Sequence, residues 1–275
     1  MKIAIITHIS IILGYSYDVH RFLSNDLKHK LSDETYNKVL DTFSPTSLND
    51  ASVWSDRVKR WPGYAWTSKL HYMNINECSK TNDVTCNNCI VDALVKFIES
   101  FVLKIPNRNL SVKETLMMIL HLSQDITQPL HVFGINRGGN DINIIRNKNG
   151  RNRTMTLHAL FDDEIPQEYI KEQLTHTQPF NPRQIPLTNG NSREYFQDPL
   201  DKIKETLSFI VNWNVEVSCN YIYKQLPGSF PVTNENGTVS NFTYIVFEDY
   251  YKDYIVKGMF DNYTMLIKEI LEYIF

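Results

Sequence analysis

His121-Leu122-Ser123-Gln124-Asp125-Ile126-Thr127-Gln128-Pro129-Leu130-His131 follows directly on the apolar run Leu116-Met117-Met118-Ile119-Leu120. The periodicity suits a buried helix entering at Ser111, where Ser111 and Glu114 have capping-box spacing. His121 and Asp125 stand four residues apart, so on a helix both side chains leave the same face. Imidazole with carboxylate is a donor set that suits a borderline divalent cation such as zinc. Pro129 is expected to end the helix near Thr127 or Gln128. His131 then lies just beyond, free to turn toward the same cavity from another direction. One such pair alone would more often be a helical histidine satisfied by its neighbour.

Thr156-Leu157-His158-Ala159-Leu160-Phe161-Asp162 repeats the spacing, again with apolar residues between His158 and Asp162. Upstream, His20 and His71 precede the pair, and Asp56 follows Trp54 in an apolar-flanked segment. Of the eight histidines, five lie beside these carboxylates or in apolar or aromatic settings where a bare surface imidazole has little reason to be.

The order and separation of these signatures resemble the S1/P1 nuclease family, the zinc-dependent, mostly helical secreted nucleases whose relatives include bacterial zinc phospholipases C. The resemblance rests on His121 to His131, Arg137-Gly138-Gly139-Asn140, Leu157 to Asp162, Trp54-Ser55-Asp56 and His71-Tyr72. It covers the mature chain, with the carboxy-terminal third least distinctive. It implies an all-α, mainly helical single domain of the phospholipase C/P1 nuclease type, and three Zn2+ ions. Carried over residue by residue, Asp56, His71, His121 and Asp125 would hold one ion. The backbone of Tyr15 with His20 and Asp125 would hold a second, and His131, His158 and Asp162 the third. Paired divalent ions lower the pKa of water between them, and a third can position phosphate and stabilise a departing oxygen. Asp125 and Asp56 are then the central catalytic carboxylates. Lys59 would stand as a cation near the phosphate, or equally as the solvated end of a helix. Tyr72 matches the family's base-stacking position, and its bland alternative is a core tyrosine. Asn74 would meet the base edge and Asn140 would orient groups around the cluster. Thr156 and Phe161 stand where family members commonly carry Asn and Trp, which bears on substrate preference more than on metal binding.

Met1–Gly14 has Lys2 followed by an apolar stretch too short to span a membrane, and reads as a secretory signal peptide; a buried first element is the alternative. Residues 15–275 suffice for one large domain or two small ones, and no linker, repeat or low-complexity tract divides them. In the family the mature chain starts with a Trp whose free amine and carbonyl bind zinc, and Tyr15 aligns there. The net charge of -3 becomes one unit more negative without Lys2, which argues against a broad basic cradle for duplex nucleic acid. Bound cations could reverse that sign locally.

Cys78, Cys86, Cys89 and Cys219 allow three full pairings and fit an oxidising compartment. Cys86-Asn-Asn-Cys89 alone could also be a redox motif or half a zinc knuckle, although no second such motif occurs. The resemblance implies Cys78 with Cys219 and Cys86 with Cys89. Sequons at Asn152, Asn236, Asn241 and Asn262 suggest a glycosylated protein of the secretory or endolysosomal route. Helices are expected over Val19–Leu31, from Ser32, over Asp50–Arg60, Cys89–Leu103, Leu200–Asn214 and near Asn262–Phe275, with a short hairpin over 138–150 and a Pro- and Asn-rich loop over 177–195. Gly138-Gly139 lacks the frame and the lysine of a phosphate loop.

Three functions compete. The first is a monomeric endonuclease that cuts single-stranded DNA and RNA to 5'-phosphate products and also acts on 3'-nucleotides. A zinc phospholipase C-like phosphodiesterase shares the metal logic but needs an apolar rim, and Tyr72 beside His71 leans toward nucleic acid. The third is a secreted binding protein that kept a metal-supported scaffold without turnover. No G-x-S-x-G or other side-chain nucleophile motif occurs.

Overall fold

The computed structural model describes residues 15–80, 84–105, 107, 109–148, 150–175, 198–226, 230–233, 239–244 and 249–275. The expected signal segment, the 177–195 loop and the Asn236 sequon lie outside these residues. Helices α1 (Tyr17–Asp26), α2 (Asp33–Phe43), α3 (Leu48–Val58), α4 (Ile90–Val102), α5 (Val112–Asp125), α6 (Pro129–Val132), α7 (Asn136–Gly139), α8 (Leu157–Ala159), α9 (Ile165–Thr175), α10 (Pro199–Val217) and α11 (Asp249–Ile274) make the fold mainly helical.

Helix α5 is the axis. Ser111 caps it: its Oγ accepts from Glu114 N at 3.2 Å, and the Glu114 carboxylate accepts from Ser111 N at 2.7 Å. Every residue from Thr115 to Asp125 is buried. Leu116, Met117 and Leu120 face one apolar core, and Met118, Ile119 and Leu122 face a second. A helix apolar on all sides belongs at the centre of a bundle, and α1, α2, α3, α4 and α11 all pack on it. Its two polar ligand candidates are therefore carried into the interior. The helix closes at Asp125, and Pro129 opens α6 at its first position, where a missing N–H costs nothing.

Strands β1 (Asn143–Lys148) and β2 (Arg151–Thr156) form an antiparallel hairpin. It lies later than the expected 138–150. Gly150, at φ +76°, sits at the turn between the strands instead of at their end. Gly138 and Gly139 belong instead to α7, a single turn in which Asn136, Arg137, Gly138 and Gly139 all have positive φ. Strands β3 (Phe230–Thr233) and β4 (Val239–Tyr244), not anticipated, extend the hairpin to a sheet of order β2-β1-β4-β3, with β4 parallel to β1. The last helix starts at Asp249 instead of near Asn262, because burial of Ile255, Val256 and Met259 overrides a β-branched and aromatic composition that disfavours helix. That same burial corrects one sequon. Asn262 is 5% exposed inside α11 and has no room for a glycan. Asn152 is exposed on β2, where it accepts a hydrogen bond from Asn147 Nδ2.

Cys78 is joined to Cys219, in the π turn Ser218–Ile222 just past α10, with an S–S distance of 2.05 Å across 141 residues, and Cys86 is joined to Cys89. Among the described residues no helix is long and apolar enough to cross a membrane.

Candidate metal centre

Seven elements deliver the cluster. Helix α1 supplies His20, α3 supplies Asp56, the 3-10 turn Ala65–His71 supplies His71, α5 supplies His121 and Asp125, and α6 supplies His131. The hairpin then runs into α8: Thr156 caps it by accepting from Ala159 N, and His158 follows. The chain widens into a π turn over Leu160–Glu164, a form frequent at functional sites, and this turn holds Asp162. Phe161 beside it is fully buried.

These residues form three interlocked groups whose candidate ligand atoms lie within 4.8 Å of one another: His20, Asp56 and His121; His71, His121 and Asp125; and His131, His158 and Asp162. Asp125 Oδ2 lies 2.8 Å from His71 Nδ1 and 3.1 Å from His121 Nε2, while its Oδ1 lies 3.6 Å from His20 Nε2 and 3.7 Å from His131 Nδ1. Asp162 lies 3.4 Å from His131 Nε2 and 3.2 Å from His158 Nε2. The rings pair as well: His20 stacks on His121 at 4.2 Å and His131 on His158 at 5.1 Å.

The outward nitrogens decide what faces inward. His121 Nδ1 donates to the Ser52 carbonyl at 2.7 Å, His158 Nδ1 to the Gly138 carbonyl at 2.7 Å, and His20 Nδ1 to Gln124 Oε1 at 2.5 Å. Gln124 is itself oriented by its Nε2, which donates to the His20 carbonyl, Ser24 Oγ and Tyr263 Oη. Each acceptor requires an N–H on the outer nitrogen and aims the other nitrogen at the carboxylates. This is the support that metal-binding histidines ordinarily have. Gln128 does the same for Asp162, donating to its Oδ1 at 2.7 Å.

His20 Nε2, Asp56 Oδ2, Asp125 Oδ1, His131 Nδ1 and His158 Nε2 are all buried and have no hydrogen-bond partner in the protein. Orphaned polar atoms at this density are costly unless something else satisfies them. Imidazole nitrogens and carboxylate oxygens converging within these distances are a donor set that fits zinc.

Electrostatics follow from the same packing. Burial, then the neighbouring His121, lowers His20 to about 4 against the pull of Asp125 and Asp56. Burial and the charge of Lys59 lower His71 to about 4. Burial opposes a charge on His121, but Asp125 and Asp56 overcome it and raise that ring to about 10. Against burial, His121 and Lys59 hold Asp56 far below the carboxylate range, and His121 with His131 does so for Asp125. Burial also opposes ionisation of Asp162, yet His158 and His131 bring it down to about 2.

The other anticipated residues occupy distinct places. Tyr15 is fully buried, its ring 5.7 Å from that of His20 and 6.5 Å from that of His131, and Ser16 N donates to the Asp162 carbonyl. Lys59 Nζ is 2.6 Å from Asp56 Oδ1 and only 10% exposed, so it is a partner of the cluster and not a solvated helix end. Tyr72, Asn74 and Asn140 line a cavity of about 430 Å³ with His71, His131, Arg137 and His158. Tyr72 is 40% exposed there and is not a core residue. Gln124, Gln128 and the carbonyls of Ser52 and Gly138 escaped the sequence reading. The two glutamines had one signal: amides inside an otherwise buried helical run need buried partners.

The family described as S1/P1 Nuclease matches residues 20–246. The chain is 29% identical to Endonuclease 1 of Arabidopsis thaliana over 49% of this chain and 47% of that protein. It is 25% identical to Nuclease P1 of Penicillium citrinum over 48% of this chain and 50% of that one. Against Nuclease S1 of Aspergillus oryzae it is 22% identical over 66% and 64% respectively. The alignments thus span about half the length of the first two relatives.

Proposed function

We propose, from the premise that the chain belongs to the S1/P1 nuclease family, that it is a zinc-dependent endonuclease hydrolysing single-stranded DNA and RNA to 5'-phosphate products, with 3'-nucleotidase activity. The observation that carries this reading is the set of orphaned, inward-facing imidazole and carboxylate atoms, which through His131 and His158 adjoins a cavity whose wall presents a half-exposed tyrosine. His20, Asp56, His71, His121, Asp125, His131, His158 and Asp162, with the backbone of Tyr15, would hold three zinc ions. Bound there, zinc supplies charge stabilisation to phosphoryl oxygens and acidifies water.

The chain's own groups do the rest. Asp125 faces both the His71 and His121 side and the His131 side, so one carboxylate orders the centre from two directions. Lys59 holds Asp56 in place and adds a cation to a cluster of three buried carboxylates. Tyr72 offers a ring face, and stacking on it tolerates any base. Asn74 and Asn140 bring amides that can donate and accept at the same mouth. A recessed floor admits an unstacked, flexible strand more readily than a rigid duplex. The disulfides fit the oxidising compartment of a secreted protein.

The test compares turnover of a single-stranded oligonucleotide, its duplex and phosphatidylcholine by protein purified without chelator, alongside elemental analysis. Fast cleavage of the single strand with close to three zinc per chain is expected. Rapid lipid hydrolysis with negligible oligonucleotide cleavage would transfer the function to a phospholipase, and zinc-loaded protein that turns over neither would be a binding protein.

A further inference from the structure

A second cavity of about 420 Å³ lies against the one over the metal centre, and Tyr72, Met73 and Asn74 line both. We propose that this second cavity is a subsite for the nucleotide of a single strand that lies one position further from the cleaved bond than the nucleotide over the metal centre, with Tyr72 as the partition between those two positions, so that a dinucleoside monophosphate leaves it empty. The inference rests on the nuclease reading for its substrate class.

The partition is rigid. Met73 N donates to the His131 carbonyl at 2.8 Å, Ile75 N to the Val132 carbonyl at 3.0 Å, and Gly134 N to the Ile75 carbonyl at 2.8 Å. On the far side, Ile90 N donates to the Tyr72 carbonyl at 3.2 Å. Segment 72–75 is thus pinned both to α6, which bears His131, and to the start of α4. Its extended backbone alternates, burying Met73 while leaving Tyr72 and Asn74 exposed.

The chemistry of the second cavity suits a nucleotide. Its floor includes the buried Met73 and Cys89, an apolar surface for a base face. Asn74, Asn87 and Asn88 bring side-chain amides that both donate and accept, so they can meet the edge of any base. Lys69 is exposed at its rim, and among the described residues no lining side chain is acidic. A cation there meets a backbone phosphate and positions the strand without reading sequence. The apolar pocket beside it, which shares Thr85 and Cys86, differs: it sets Asp92 and Glu205 against the single cation Lys204 and so suits a phosphate less well.

The test uses the zinc-loaded enzyme, a dinucleoside monophosphate, a tetranucleotide and a tetranucleotide with an abasic unit at either end in turn. The wild type should show kcat/KM for the tetranucleotide roughly tenfold or more above that for the dinucleotide, the gain expected of one further stacked and charge-paired nucleotide. The double variant Lys69→Ala/Asn87→Ala should retain the dinucleotide value and lose most of that gain, as should one of the two abasic substrates with the wild type. Equal wild-type values for both lengths, or an equal fall on both in the variant, would overturn the subsite. Dissociation constants for a phosphorothioate tetranucleotide separate the two readings. If the wild type cleaves nothing yet binds this probe more tightly than the variant does, the subsite stands and the nuclease reading falls. If wild type and variant bind it equally, the subsite falls.

Discussion

Asp125 has four imidazoles within 3.7 Å, those of His71, His121, His20 and His131, and its Oδ1 has no hydrogen-bond partner in the protein. Changing it to Asn keeps the shape and removes the charge. The expected outcome is loss of at least one zinc by elemental analysis and a fall of at least ~100-fold in kcat, about 2.7 kcal/mol of transition-state stabilisation. Gln124→Met tests support, not ligation. It removes the acceptor for His20 Nδ1 and leaves the Ser24 and Tyr263 hydroxyls short of a partner, so a loss of about 1–3 kcal/mol in stability is expected. Gln124→Glu keeps the acceptor and should keep His20 protonated at Nδ1, readable from imidazole 15N shifts, whereas Gln124→Met should not. The ligand candidates were legible because His121 with Asp125, and His158 with Asp162, are local four-residue pairs. Their supports were not. A backbone carbonyl such as that of Ser52 or Gly138 leaves no mark on residue type, and Gln124 meets His20 from 104 positions away.

At the scale of elements, α7 shows why a glycine pair can matter without binding phosphate. A Cβ on Gly138 would lie 2.3 Å from the Leu130 carbonyl oxygen, and φ there is +61°. Gly138→Ala must therefore push α7 off α6 or strain it, and the Gly138 carbonyl that orients His158 moves with it. The expected result is a lower Tm together with loss of one bound metal ion, whereas Gly150→Ala, at φ +76° but with open space around it, should cost stability without touching the metal count. The start of helix α5 was readable, cap included, because its signals are local: Ser111, Glu114 and an unbroken apolar run; its end, expected near Thr127 or Gln128, falls at Asp125. The sheet was not readable, since β1 pairs with β4 across about a hundred residues and only tertiary contact defines that neighbour. The two-residue offset of α1, which starts at Tyr17 and not Val19, is the usual blur of helix ends.

For the whole molecule, stability without metal should depend on pH in opposite senses on the two sides of neutrality. His20 and His71, lowered to about 4 when folded, take protons more readily unfolded, so stability is lost as pH falls from about 6.5 toward 4. His121, raised to about 10, contributes fully below its unfolded value near 6.5, and that contribution is lost as pH rises toward 10. Each proton contributes at most about 1.4 kcal/mol per pH unit. Melting curves of EDTA-treated protein should peak near pH 6 to 7, and zinc should flatten the profile because binding displaces the His121 proton. A monotonic profile would show that the cluster does not titrate as a unit. The ligand groups also differ in their access to solvent. His20, His121 and Asp125 are fully buried, whereas His131 and His158 line the cavity of about 430 Å³, and His158 and Asp162 are each 6% exposed. A chelator entering from solvent meets the group at the cavity first. A chelator should therefore draw ions out in two kinetic phases, the faster from His131, His158 and Asp162, so that the free metal concentration would set how long the centre stays loaded before the fold itself opens.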